Sequence, residues 1–258
     1  MYEIVFFDVD GTILSEVDRS IPESTKLAIT RLCEKGIKVV VATGRPHSLC
    51  EELIALGIDT LISANGALIK EKNNVIYKSG ISVKTIRELS SFAELNGHCL
   101  SYFTDLISMN GIGVEENRVR SALLETLGLR HYPQKLDALS EEIYCMCLYA
   151  DESEAQKFID NFPQLRFVRF HSYVINILEK QVVSKSEAIK KVLDYYNIAV
   201  SNSIAFGDGG NDLDMLEFVG LGIAMGNGEE RLKQKADFVT KRASEDGIYH
   251  ALTKFGVI

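Results

Sequence analysis

Apolar residues follow two rhythms along this chain. Ile4, Val5, Phe6 and Phe7 stand in succession within residues 3–7 and stop at Asp8, a pattern that predicts a strand buried on both faces of a parallel sheet. Ser20-Ile21-Pro22-Glu23 then reads as a helix start, with Leu27, Ala28, Arg31 and Leu32 at helical spacing and Gly36 placed to end it. A second strand over 37–41, a helix over 46–56 with Leu49, Leu53 and Leu56 on one stripe, and a third strand over 60–62 complete a βαβαβ unit. The C-terminal part repeats the style. Helices are expected over 186–196, 212–218 and 229–235 and from Glu245 onward, alternating with strands over 203–206, 221–224 and 238–240.

The middle of the chain changes pattern. Helical stripes over 83–95, 115–127 and 152–162 are separated by strands over 99–103, 143–149, 165–170 and 173–178, which fall in pairs, as antiparallel strands do. The expected architecture is therefore α/β: a doubly wound, Rossmann-like parallel-sheet core made of residues 1–80 and 184–258, with an α+β domain of residues 81–183 inserted into it.

Composition narrows the function classes. At 258 residues the chain can bury one large core or two small ones, and 46% apolar with 25% charged residues is ordinary for a folded protein. A net charge of −8 disfavours nucleic acid and anionic membrane surfaces as partners. No run of 18 apolar residues and no basic, apolar leader follows Met1, so a cytoplasmic location is expected. Five cysteines without a Cys-x-x-Cys spacing suggest neither disulfides nor zinc; Cys145 and Cys147 alternate as core residues of one strand face. His47, His98, His131, His171 and His250 lack metal-ligand spacing, and Glu115-Glu116, Glu141-Glu142 and Glu229-Glu230 read as solvated helix starts.

The candidate chemistry sits at strand ends. Asp8-Val9-Asp10-Gly11-Thr12 follows the first strand; read as structure alone it is an Asp-Gly turn, and read as chemistry it is two carboxylates that divide nucleophile and general acid/base roles. Gly207-Asp208-Gly209-Gly210-Asn211-Asp212 follows a later strand and could hold a hard cation through oxygen ligands. Two acidic strand ends in one parallel sheet can meet at its carboxyl edge, where ligands bind in this architecture. Thr43-Gly44-Arg45 offers a hydroxyl and a backbone N–H before a helix, and Lys185 opens another helix, where it is either a solvated lysine or a counter-charge to phosphate.

Those four segments, in that order, resemble the motifs of the haloacid dehalogenase-like hydrolases, and within them the Cof-type phosphatases that carry a large cap inserted in the core. Ser63-Ala64-Asn65-Gly66-Ala67, Ala224-Met225-Gly226-Asn227 and Glu245-Asp246-Gly247-Ile248 add to the likeness, while Glu179-Lys180-Gln181 and Gly228 depart from the usual Pro/Gly turn and Ala. The resemblance implies a Mg²⁺-dependent phosphatase acting on small phosphorylated metabolites through an aspartyl-phosphate. It assigns catalysis to Asp8, Asp10 and Lys185 and metal binding to Asp8, Asp10, Asp208 and Asp212. Phosphate or substrate contacts fall to Val9, Thr12, Thr43, Gly44, Arg45, Asn65, Gly66, Lys185 and Asn211. A phosphosugar mutase or phosphotransferase of the same fold uses the same aspartate, and a noncatalytic sensor of phosphometabolites is the remaining alternative. The chain is expected to act as a monomer or homodimer.

Overall fold

The structure is a computed structural model and describes residues 1–139, 142–179 and 183–258. In chain order, β1 (Ile4–Phe7), α1 (Glu23–Glu34), β2 (Lys38–Ala42), α2 (Glu51–Ile54), β3 (Thr60–Ser63), β4 (Leu68–Glu71) and β5 (Asn74–Lys78) form the first stretch. The middle follows as α3 (Val83–Leu95), β6 (Cys99–Phe103), β7 (Ile107–Met109), α4 (Asn117–Leu127), β8 (Cys145–Tyr149), α5 (Glu152–Asn161), β9 (Leu165–His171) and β10 (Val174–Glu179). The last stretch is α6 (Lys185–Tyr196), β11 (Ser203–Gly207), α7 (Leu213–Phe218), β12 (Leu221–Ala224), α8 (Glu230–Lys233), β13 (Phe238–Val239) and α9 (Gly247–Lys254).

Two compact units result. One comprises Met1–Gly44, Glu51–Tyr77 and Ser184–Ile258, the other Arg45–Cys50 and Lys78–Val183. The first holds a sheet in the order β13-β12-β11-β1-β2-β3-β4-β5, parallel from β13 through β3 and closed by the antiparallel β4. All four residues of β1 are fully buried, as expected for a strand with helices on both sheet faces. Phe7 pairs in register with Phe206 of β11, and their rings stack at 5.1 Å, worth about 0.5–1.5 kcal/mol beyond their burial. That pairing fixes the carboxyl ends of β1 and β11 side by side, at the point where strand order reverses direction.

The second unit is built on an antiparallel sheet in the order β7-β6-β8-β10-β9. Leu100, Met146, Leu148, Ile175 and Ile177 on one face of that sheet pack with Ile86, Leu89 and Phe158 of α3 and α5 into one buried cluster. Cys145 and Cys147 lie on a common strand face, where both thiols donate to Oδ1 of Asn176, and all five cysteines are unbridged.

One expectation is corrected by the structure. The single helix over 46–56 is instead a 3₁₀ turn, His47–Cys50, followed by the four-residue α2. Leu49 departs from helical geometry, and the Ser48 N–H donates to the Asp105 carbonyl at 2.9 Å; this competing bond helps place Arg45–Cys50 with the second unit. The hairpin of β4 and β5 and the short β7 were not anticipated. Lys180, Gln181 and Glu141 lie outside the described residues. No helix among the described residues is long and apolar enough to cross a membrane.

Candidate active site

Asp8 continues the ladder past β1, its N–H donating to the Phe206 carbonyl at 2.9 Å, so its carboxyl stands at the sheet edge beside the end of β11. Lys185 reaches the same point from α6. That helix buries Ala188, Ile189, Val192 and Leu193, and Lys185 lies three and four residues before Ala188 and Ile189, on the same stripe. The helix is therefore set down with its lysine inward. Ser184 caps it by accepting from the Glu187 N–H, and Ser186 donates through N and Oγ to Asp214.

The lysine ammonium is 2% exposed as a residue and donates to Oδ1 of Asp8 and Oδ1 of Asp212, both at 2.6 Å. Oδ2 of Asp212 accepts from the N–H groups of Asp208 and Gly209, each at 3.0 Å, so this one carboxylate ties the lysine to the loop after β11. Ligand oxygens of Asp8, Asp208 and Asp212 lie within 4.8 Å of one another. Burial and then the Asp212 charge push the Asp8 carboxyl up to about 7, against the pull of Lys185. Burial followed by Asp8 and Asp212 pushes Asp208 up to about 9. Burial alone would lower the Lys185 ammonium, but Asp212 and Asp8 together hold it above its ordinary range.

The remaining predicted residues divide between this cluster and its margins. Thr12 is buried and its Oγ1 donates to Oδ1 of Asp208 at 3.5 Å, while Val9 is wholly buried and its carbonyl accepts from the N–H groups of Thr12 and Leu14. Thr43 is pinned at the end of β2: its N–H donates to Ile62, and its carbonyl accepts from the Asn65 N–H at 2.9 Å. Asn65, 3% exposed and in the left-handed region, accepts at Oδ1 from Asn211 Nδ2 at 3.3 Å. Its own Nδ2 is buried without a hydrogen-bond partner among the described residues, beside the open face of Gly44. Such an orphaned donor costs about 1–3 kcal/mol unless a ligand accepts from it.

Gly66 sits at φ +106 with its missing side chain facing the Ser184 carbonyl, which makes it a packing residue that lets α6 start close to the sheet. Arg45 belongs to the second unit, where Nη1 donates to the Leu49 carbonyl at 3.3 Å. The Asp10 carboxylate is outside the acidic trio and accepts from Arg19 Nη2 at 3.0 Å.

Two partners escaped the motif reading. Asn227 donates through Nδ2 to the Gly11 carbonyl at 2.8 Å and to Oδ2 of Asp208 at 3.3 Å. Glu229 accepts from the Gly210 N–H at 3.1 Å and donates its own N–H to the Asp208 carbonyl at 2.9 Å. The Ala224-Met225-Gly226-Asn227 segment was the available signal for the first; nothing in the sequence distinguished Glu229 from a helix-start carboxylate.

Gly11 has φ +79, and a Cβ there would overlap the Asp208 carboxylate. Gly11→Ala is therefore expected to cost about 1–3 kcal/mol of stability and to weaken divalent-cation binding. Denaturant melts and a Mg²⁺ titration check both; an unchanged titration would mean that Asp208 is not the residue displaced.

The family described as haloacid dehalogenase-like hydrolase matches residues 5–252. YkrA of Bacillus subtilis (strain 168) is 36% identical over 99% of this chain and 98% of its own length. The 5-amino-6-(5-phospho-D-ribitylamino)uracil phosphatase YitU of the same organism is 29% identical over 98% of this chain and 97% of its own. Among solved structures, the subclass IIB sugar phosphatase BT4131 superposes with a TM-score of 0.87 at 30% identity, covering 99% of this chain and all of that one.

Proposed function

The chain belongs to the haloacid dehalogenase-like hydrolases, and we propose that it is a phosphatase in which Asp8 attacks the phosphorus of a small phosphorylated metabolite. The observation that carries this reading is the meeting of Asp8, Asp208 and Asp212 around one buried lysine at the carboxyl ends of β1 and β11. A structural ion pair needs one carboxylate per lysine. Three in a buried site leave excess negative charge that a divalent cation would neutralise.

The donor set fits such an ion. It is all oxygen, and the raised Asp8 and Asp208 carboxyls lack positive charge that Lys185 does not fully supply. Asp8, Asp208 and the Asp10 carbonyl would hold Mg²⁺, with Asp212, whose two oxygens already accept from Lys185 and the loop, acting behind them. Once bound, the ion supplies screening between an attacking carboxylate and an anionic phosphate.

The protein's own groups carry the steps. An Asp8 oxygen forms a bond to phosphorus as the bond from phosphorus to the leaving oxygen breaks, and Asp10 gives that oxygen its proton. Asp10 then takes a proton from water, whose oxygen attacks phosphorus and releases phosphate from Asp8. Lys185 stabilises charge on the transferring oxygens, and Asn211 and the unpartnered Asn65 amide supply donors to the same group. Thr43 and the Gly44 N–H bind it from the end of β2. The names of YitU and BT4131, one a ribitylamino-uracil phosphate hydrolase and the other a sugar phosphatase, support a phosphorylated small molecule as substrate.

A phosphate-release assay on an aryl phosphate tests the reading: turnover is expected with Mg²⁺ and none with chelator, and full activity in chelator would overturn it. The pH dependence adds a second check. A carboxyl whose folded pKa is raised holds its proton more tightly folded than unfolded. The metal-free protein should therefore lose stability as pH rises from about 4 through about 7 for Asp8 and about 9 for Asp208. A cation replaces those protons, so the rise in melting temperature on adding Mg²⁺ should grow across that window; a constant rise would contradict it. Asp10→Asn is expected to slow alkyl phosphates by about 10²–10⁴-fold and aryl phosphates less, because an activated leaving group needs less protonation. Equal losses on both would argue against Asp10 as the acid.

A further inference from the structure

Residues of β9 alternate between two environments. Leu165 and Phe167 pack into the apolar cluster with α3 and α5, so Arg166 between them lies on the opposite face of the second unit's sheet. There Arg166 pairs with Leu178 of β10, and Asn176, one row along β10, pairs with Cys147 of β8. Arg166 and Asn176 are thus diagonal neighbours, a spacing of about 7–8 Å that a long side chain spans.

The polar groups of this face lack an anion. Arg166 Nε is buried without a hydrogen-bond partner, and the guanidinium makes neither a hydrogen bond nor an ion pair among the described residues. The thiols do not supply the missing charge. Cys145 and Cys147 donate to Asn176 Oδ1 at 3.7 and 3.1 Å, and burial holds Cys145 well above the ordinary thiol range. Asn176 is 4% exposed, and with Oδ1 so engaged its Nδ2 donates to no acceptor among the described residues. A cation and an amide donor withdrawn from water without acceptors are unfavourable, and an apolar side chain of similar length would fill the space beside Leu178 without that cost. Arg166 as a residue is half-buried, which leaves its fork open to a small ligand.

We propose that Arg166 and Asn176 form a binding site on the second unit for the carboxylate or phosphate group of a small molecule. The guanidinium takes two oxygens of such a group side by side, and Nδ2 of Asn176 donates to one of them. The ligand is either a second anionic group of the substrate or a separate metabolite. The site itself stands on the second unit's residues and does not depend on Asp8 as nucleophile.

Two probes distinguish the sources, with Arg166→Met and Arg166→Lys set against wild type. Phosphate release with Mg²⁺ is measured from 3-phosphoglycerate and glycerol 3-phosphate, which differ by a carboxylate in place of a hydroxymethyl group. If the substrate's own anion is the ligand, Arg166→Met lowers kcat/KM for 3-phosphoglycerate by about 10- to 100-fold and for glycerol 3-phosphate by less than about twofold. Arg166→Lys then restores part of the loss, because it returns one charged donor. Calorimetry of malonate binding to the metal-free protein is the second probe, since the acidic cluster around Asp8 repels a dicarboxylate. If the ligand is a separate metabolite, Arg166→Met binds malonate about tenfold or more weakly than wild type while both esters are unaffected. In either case the melting temperature of Arg166→Met should hold or rise, because an unpaired, partly buried cation is removed. Equal behaviour of wild type and Arg166→Met toward both esters and malonate, or a lower melting temperature with equal losses on the two esters, would overturn the site. Failure of the wild type to release phosphate from these esters and from an aryl phosphate would overturn the phosphatase reading instead, and malonate binding would then decide the site alone.

Discussion

Lys185→Met is expected to destabilise the metal-free protein by about 3–5 kcal/mol and to cut turnover by about 10²–10³-fold or more. The lysine is buried between Asp8 and Asp212 at 2.6 Å from each, with Asp208 in the same cluster. Removing it leaves carboxylates with neither water nor a cation around them. The stability loss should shrink toward about pH 5, where protonation of Asp8 and Asp208, whose carboxyls already rise to about 7 and about 9, relieves the uncompensated charge. It should also shrink with Mg²⁺, which the same carboxylates would bind. Chemical denaturation at two pH values, with and without Mg²⁺, checks the first part; a pH-independent loss would mean that lost packing of the lysine stem, and not charge, sets the cost.

Asp8→Asn should have the largest effect on rate and almost none on stability. An asparagine has no carboxylate to attack phosphorus, so turnover should fall by roughly 10⁵-fold or more. The fold should keep or gain stability at neutral pH without metal, because burial and the Asp212 charge already disfavour an ionised Asp8. Lys185 retains Asp212 as its partner in this variant. Steady-state phosphate release and a thermal melt on the same sample separate the two effects, and a variant that lost both together would identify Asp8 as a structural ion-pair member.

The contrast between these variants follows from what could be seen in the sequence. Asp8, Asp10 and Asp208 were legible because the chemistry occupies contiguous positions directly after buried apolar strands. The helix over Val83–Leu95 matched its stripe residue for residue, since Ile86, Leu89 and Ala93 recur at helical spacing and Ser82 caps the first turn. The hairpin of β4 and β5 was missed because its turn passes through Lys72 at φ +52, with no Gly or Pro to mark it, and β5 has no fully buried side chain to set a pattern. The leucines of 46–56 gave a helical period, but a hydrogen bond to the distant Asp105 decided the local shape. Tertiary bonds of that kind cannot be read from spacing. The same holds for Asn227 with Gly11, 216 residues apart, and for the motif aspartate Asp10, whose ion pair with Arg19 nothing in the spacing marks.

Acid quenching of wild-type protein during turnover of an aryl phosphate, followed by digestion and mass spectrometry, tests the central claim most directly. One phosphoryl group is predicted on the peptide that contains Asp8, stable in acid and lost in alkali as an acyl phosphate is, and absent from Asp8→Asn. Phosphate release without any labelled peptide, or a label on another residue, would contradict Asp8 as the nucleophile.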